Sequence, residues 1–307
     1  MGVDNPQDSA AHADADVRAA EALRDDLLAV LFPRCGALPS EYVQSAVRLK
    51  IQMVVQGIER QLTNRDGPPQ SWDALSASGL LREPSLVEFA LARLAEEKLK
   101  FNLEAGGATQ ALSQLPVLLL GHENPRIAVM ARQLLSADRS TASMGELYRR
   151  LPNSDLHLLC WRVVAAVHDV EGCDVDAVTS KATELLAGHN GDSDPVQLAR
   201  KLVFFLGPDH RATLIDPRKA GLHLFIAAMA QEYRLESDLL YRLIAGDSPF
   251  ALLLLLRGQG LPVEQLPSLL VALRGGHDSS PDIADAYTNI DPIEARAAIS
   301  AWVEQSP

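Results

Sequence analysis

The sequence predicts an all-α protein of stacked helical hairpins, arranged either as an α–α superhelix or as an irregular multi-helix bundle. Three observations lead there. Polar–proline helix starts recur along the chain. Apolar residues between them repeat about every 3.6 positions, the period of an α-helix. No stretch alternates apolar and polar residues as a half-buried strand does.

The starts are Asn124-Pro125, Asp194-Pro195, Asp216-Pro217, Ser248-Pro249, Ser280-Pro281 and Asp291-Pro292. In each pair the first side chain can accept from a free amide of the opening turn. Proline suits the next position because its missing N–H would have no helical partner. Asp291-Pro292-Ile293-Glu294 has the spacing of a capping box, with Asp in the place of Ser or Thr. The stripes are Val47, Ile51, Val55, Ile58 and Leu62, then Ile127, Met130, Ala131, Leu134 and Leu135, then Leu156, Leu159, Val163 and Val167.

In chain order, residues 1–14 are acidic and polar and read as a disordered tail. Helices near 12–31, 38–62 and 85–101 predict an N-terminal bundle. From about residue 105 the elements shorten into helical hairpins. The polar, Gly-rich "GHNGDSDP" (188–195) marks a boundary, giving a region 15–190 and a hairpin region 191–307, or one continuous domain. "NRDGPPQS" (64–71) is a weaker break. Two stretches repeat one theme of helix, tight turn and second helix: "LPVLLLGHENPRIAVMARQLLS" and "FALLLLLRGQGLPVEQLPSLLVALRG". A lone pair of helices cannot bury both of its apolar faces, so neighbours must stack on it.

Bulk numbers narrow the function classes. The 307 residues are 47% hydrophobic and 22% charged, as in a soluble globular protein. A net charge of −12 opposes contact with nucleic acid and anionic lipid. The longest apolar run, Phe250 to Leu256, is far short of the roughly 20 residues a spanning helix needs. Aromatic residues make up 5%, too few for a stacking platform along a single strand of nucleic acid. Cys35, Cys160 and Cys173 are too sparse for a disulfide framework. With no basic, apolar leader at the N-terminus, and Pro6 where a myristoylation signal has Ser or Thr, the expected compartment is the cytoplasm.

"ENPRIAVMARQLLS" (123–136) resembles the second helix of a HEAT-type repeat, in which an Asp/Asn-Pro start precedes a Val/Arg/Ala-rich helix. "LYRLIAGDSPFALLLLLRGQGLPVEQLPSLL" (240–270) resembles the C-terminal part of a bacterial family of uncharacterised helical proteins, a domain of unknown function. There Leu243, Gly246, Phe250 and Leu254 precede a Gly260-Leu261-Pro262 turn and a further helix ending near Leu270. "PSLVEFALARLAEEKL" (84–99) fits the repeat loosely. The resemblance implies a helical scaffold and transfers no catalytic residue and no cofactor.

Two clusters of reactive side chains stand out. In "HLLCWRVVAAVHDVEGC", His157, Cys160 and His168 share one helical face, a candidate reactive face with Cys173 beyond it. At 1.5 Å per residue His157 and His168 lie about 16 Å apart along the axis, too far for one zinc ion. His157 and Cys160 could share a metal only if other elements completed the site, and Cys160 reads rather as a small core residue. In "GPDHRATLIDPRKAGLH", Asp209, His210, Arg211, Arg218 and Lys219 form a polar cluster able to line a loop that binds an anion or a partner. No phosphate loop, nucleophile elbow or His-Glu-x-x-His helix occurs.

The leading expectation is therefore a cytoplasmic, non-enzymatic scaffold or adaptor that binds another protein, without metal or cofactor. The alternative is a small-ligand or metal-dependent enzyme or sensor whose site forms only in the fold. A third is a nucleic-acid binder through a local Arg face.

Overall fold

The computed structural model describes residues 41–105, 114–140, 146–168, 174–189, 194–246, 249–275 and 281–305. Among the described residues every regular element is helical and there is no strand. The chain opens with α1 (Glu41–Thr63), α2 (Trp72–Ala77), α3 (Pro84–Ala105), α4 (Leu115–Leu118) and α5 (Pro125–Ser140). After a 3-10 turn at Leu147–Arg150 come α6 (Asn153–His168), α7 (Val175–Gly188) and α8 (Pro195–Leu206). Two short helices, α9 (Arg211–Leu214) and α10 (Pro217–Ala220), lead into α11 (Leu222–Tyr233) and α12 (Ser237–Ala245). The C-terminal part comprises α13 (Phe250–Gly258), α14 (Leu266–Arg274), α15 (Pro281–Asn289) and α16 (Pro292–Gln305).

The polar–proline starts work as caps. Asn124 Oδ1 accepts from the amide of Arg126 at 3.0 Å, Asp194 from Val196 at 3.3 Å and Asp216 from Arg218 at 3.1 Å. Asp291 Oδ1 accepts from both Ile293 (2.7 Å) and Glu294 (3.2 Å), the forward half of a capping box. Ser248 and Ser280 lie outside the described residues, as do the tail 1–14 and Cys35. The weak break at 64–71 is folded back onto α1: the buried Glu59 carboxylate accepts from the amides of Gln70 (2.8 Å) and Ser71 (3.0 Å) and from the Ser71 hydroxyl (2.6 Å).

Apolar burial is divided between two clusters. One gathers α1, α2, the 147–151 turn, α6 and α7, with Ile51, Ile58, Leu156 and Leu159 at its centre. The larger gathers α4, α5 and the helices from α8 onward. Helix α3 belongs to both, giving Leu86, Phe89 and Ala90 to the first and Ala95, Leu99 and Leu103 to the second. It packs on α1, α12 and α14, and its side chains end two of those helices. Lys98 Nζ donates to Ala245 O (2.9 Å) at the end of α12, and Asn102 Nδ2 to Leu273 O (2.8 Å) near the end of α14. Carbonyls in a last helical turn have no intrahelical donor, so these bonds satisfy groups that would otherwise need water.

A one-dimensional stack holds each helix pair against its sequence neighbours. Here α3 packs on helices more than a hundred residues away, and α5 packs on α8. Of the two arrangements the sequence allows, these pairings are those of an irregular multi-helix bundle. The 250–274 stretch shows why. Instead of closing on each other, α13 packs chiefly on α16 and α14 chiefly on α3. Leu252 to Leu256 are all buried because α13 has neighbours on every side. Among the described residues no helix is long and apolar enough to cross a membrane.

The two glycines of that stretch have different tasks. Gly260 turns the chain, with φ 76° in the left-handed region. Gly258 is the last residue of α13 and serves close approach: a Cβ built there would sit 2.6 Å from Tyr233 Oη. That hydroxyl cannot swing away, because it donates to Leu255 O at 2.6 Å inside the core. Arg296 Nε also donates to Gly258 O at 2.6 Å, tying α16 to the same spot. Gly258→Ala should therefore cost about 1–3 kcal/mol as overpacking and lower the melting temperature measured by circular dichroism. An unchanged melt would show that the contact is slack.

Candidate functional site

Where α3 passes from one apolar cluster to the other, it carries Arg93, Glu96 and Lys100 on one face, spaced i, i+3 and i+7. Glu96 is 2% exposed, and basic side chains from three elements converge on it. Arg150, from the 147–150 turn, donates through both terminal nitrogens, Nη1 to Oε1 at 3.2 Å and Nη2 to Oε2 at 2.8 Å. Arg93 Nη1 lies 3.1 Å from Oε2, Lys100 Nζ 3.2 Å from Oε1, and His223 Nε2 of α11 3.0 Å from Oε1.

A second ring of carboxylates engages the same basic side chains. Asp194, the α8 cap, accepts from Arg150 Nε at 3.0 Å, and Asp138 of α5 accepts from Lys100 Nζ at 2.8 Å. Asp138 also lies 3.5 Å from His223 Nδ1, and Asp238 of α12 pairs with Arg93. The Arg93 guanidinium stands over the rings of Phe89 and Tyr241, at 5.3 and 5.4 Å from their centroids.

The electrostatics follow from burial opposed by charge. Burial alone would raise the Glu96 carboxyl, but Arg93, His223 and Lys100 outweigh it and hold the group well below the usual carboxylate range. Burial likewise works against charged Lys100, yet Glu96 and Asp138 raise its pKa. Asp138 is lowered, with His223 and Lys100 overcoming its desolvation. At Asp194 burial prevails over Arg93, and the carboxyl is raised. Each buried ion costs several kcal/mol to desolvate, so the cluster is tolerable only because its charges are paired, although Arg93 Nε is buried without a hydrogen-bond partner.

Above this network opens a cleft of about 550 Å³, walled by Pro116, Leu134, Leu147 and Leu222 and rimmed by Phe101 and Glu104. Its charged floor is Arg93, Glu96, Lys100, Asp138, Arg150 and His223, and among the described residues none that lines it is Ser, Thr or Cys. Chemically the arrangement joins helices: one carboxylate holds α3, the 147–150 turn and α11 together.

The residues singled out in the sequence lie elsewhere. Arg211 pairs with Glu232 at 2.7 Å and reaches Gln259 at 3.3 Å. Arg218 folds back on Asp216, with Nε and Nη2 each 2.9 Å from its carboxylate. Asp209 and His210 form a 3-10 turn ahead of α9. The two arginines thus act in different directions, Arg211 toward α11 and α13, Arg218 toward its own helix cap.

On α6, His157 is exposed and accepts from Trp161 Nε1 at 3.2 Å, while Cys160 is fully buried. Burial pushes the Cys160 thiol up to about 11. His168 is exposed at the end of α6, and Cys173 lies outside the described residues. Among the described residues no group of three or more His, Cys, Asp or Glu side chains could hold a metal ion.

A further surface lies on α8, at the other side of the cap that Arg150 engages. Val196, Ala199, Leu202, Val203 and Leu206 face the core. The solvent face runs Gln197, Arg200, Lys201, Phe204 and Phe205, all exposed at i, i+3, i+4, i+7 and i+8. Phe204 is 72% and Phe205 44% exposed, and their rings meet edge to face at 5.7 Å and 86°. Beside them a groove of about 430 Å³ runs between α8 and the end of α11, lined by Arg200, Phe204, Ala230, Arg234, Leu235 and Glu236.

Neither site was read from the sequence. For the network a signal exists: Arg93 and Glu96 interrupt the apolar face carried by Phe89, Ala92 and Leu99, and His223 interrupts "GLHLFIAAMA". For α8, "KLVFFL" resembles core on composition, and only its phase against the buried positions sends the two Phe outward. Comparison with protein-family models, with curated proteins and with solved structures gives no match.

Glu96→Gln keeps the side chain's shape but strips the charge that Arg93 and Arg150 share, at an expected cost of about 3–5 kcal/mol. The folded carboxyl is lowered, so its contribution is complete above the ordinary glutamate value of about 4.3. It declines as pH falls below that value, where only the unfolded chain takes up a proton. In urea titrations the gap between wild type and variant should be wide at neutral pH and narrow at about pH 3.5; a gap independent of pH contradicts this. At about pH 8, iodoacetamide should leave Cys160 unmodified until the chain is denatured, since the reactive thiolate is disfavoured and covered. Rapid native labelling, read by mass spectrometry, would refute that.

Proposed function

We propose that the protein is a non-enzymatic helical adaptor that binds another protein through the outer face of α8. The observation that carries this reading is the Phe204–Phe205 pair. Two large aromatic side chains lie side by side in solvent, on a helix whose opposite face is fixed in the core. Singly exposed apolar residues are ordinary, whereas an aromatic pair flanked by arginine has the composition of an interface hot spot. The adjoining groove supplies the concavity into which a partner side chain can pack.

The buried network complements this surface. It pairs buried charges of opposite sign across three elements, which suits a rigid frame. Asp194 links the two, since it caps α8 and is itself held by Arg150.

With the full chain as bait in native lysate, wild type should recover a specific partner and Phe204→Ala/Phe205→Ala about tenfold less, for a loss near 1.4 kcal/mol. The double variant should melt like wild type because both rings are exposed. Equal recovery by the two baits, or repeated blanks with wild type, would reject the adaptor reading.

A further inference from the structure

The α8 surface also indicates what kind of partner it fits, an inference that rests on the adaptor reading. We propose that the groove between α8 and α11 takes an acidic, apolar segment of another protein. Its bulky apolar side chains would pack between Phe204 and Leu235, and its carboxylates would meet Arg200 and Arg234.

Charge is the first ground. The whole chain carries −12, yet Arg200 and Arg234 are exposed together in this groove and Lys201 is exposed beside Arg200 on α8, with Glu236 the acidic group among the described lining residues. An acidic segment is repelled by the protein at large and drawn to this face, which gives both orientation and rate. Arginine suits the contact because its planar fork can hold a carboxylate through two parallel hydrogen bonds. Shape is the second ground. Ala230 and Leu235 are buried beneath the groove, at 2% and 5% exposure, so its floor is apolar and already formed. With 12 residues, α8 is about 18 Å long, room for three turns of a bound helix or a short extended stretch.

Two other occupants fit less well. A second copy of this chain, docked by two-fold symmetry, would set the same arginines and lysine against each other. Single-stranded nucleic acid would welcome the cations, but stacking needs ring faces presented to successive bases. Phe204 and Phe205 stand at 86°, and the net charge repels a polyanion.

The test is fluorescence anisotropy on the full chain with three labelled probes. These are an amphipathic Leu/Glu peptide of about 16 residues, the same peptide with Lys for every Glu, and a thymidine oligonucleotide. The Leu/Glu peptide should bind wild type, and added salt should weaken it. Both Phe204→Ala/Phe205→Ala and Arg200→Glu/Arg234→Glu should weaken it tenfold or more, with unchanged melting curves. The Leu/Lys peptide should bind wild type at least tenfold more weakly and gain affinity for Arg200→Glu/Arg234→Glu. Equal or tighter binding of the Leu/Lys peptide or the oligonucleotide overturns the proposal, as does indifference of the Leu/Glu peptide to either variant. If no peptide binds while Phe204→Ala/Phe205→Ala still loses its lysate partner, the acidic class falls and the adaptor reading stands. If that variant also keeps its partner, both fall.

Discussion

A single carboxylate sets the conditions for the rest of this fold. Glu96 sits where α3 leaves one apolar cluster and enters the other; it accepts from Arg150 and His223 and forms ion pairs with Arg93 and Lys100. Two hydrophobic clusters on one helix have no directional reason to keep a fixed relation, because apolar contact is non-directional. Charged hydrogen bonds supply direction. The Arg150 fork fixes the 147–150 turn against α3, and that turn belongs to the cluster of α1, α6 and α7. His223 fixes α11, which belongs to the other. The same groups explain why the seam cannot be simplified piecemeal: removing one member leaves its partners charged and buried.

The seam also orients the outer face of α8. Asp194 accepts from Arg150 and from the first turn of α8, so the start of that helix is tied to the network. Its inner side, from Val196 to Leu206, then packs into the larger cluster, and the phase of the helix is set. With the phase set, Arg200, Lys201, Phe204 and Phe205 have no choice but solvent. An interaction surface on such a helix needs little ordering when it binds, which removes part of the usual entropic cost of association.

Much of the architecture was legible in the sequence because it is local. Caps act over two or three residues and apolar stripes over one helix, so Asp194, Asp216 and Asp291 and the stripes of α1 and α6 could be read directly. The network was not, because its partners are far apart in the chain: Glu96 meets Arg150 54 residues on and His223 127 residues on. Arg93 and Glu96 alone look like an ordinary i, i+3 surface pair, and only the helices packed over them make that pair buried. His157 and Cys160 share a face by angle alone, and their different exposure has a related cause. Positions 60° apart on a helix wheel can straddle the edge of a buried face, and here one is in solvent and the other in the core. Gly258 and Gly260 stand two residues apart in one Gly-Gln-Gly stretch, yet only the fold reveals that Tyr233 lies against the first.

The most direct test of the seam is native-state hydrogen exchange, comparing the slowest amides of α1 and α6 with those of α12 and α14 in wild type and in Arg150→Met. If the charged seam couples the clusters, both sets in wild type open with one common free energy, as a single cooperative unit. In Arg150→Met they separate, the α1 and α6 amides opening at lower free energy while α12 and α14 keep more of their protection. Two distinct opening free energies already present in wild type, or a common value retained in the variant, would contradict the account.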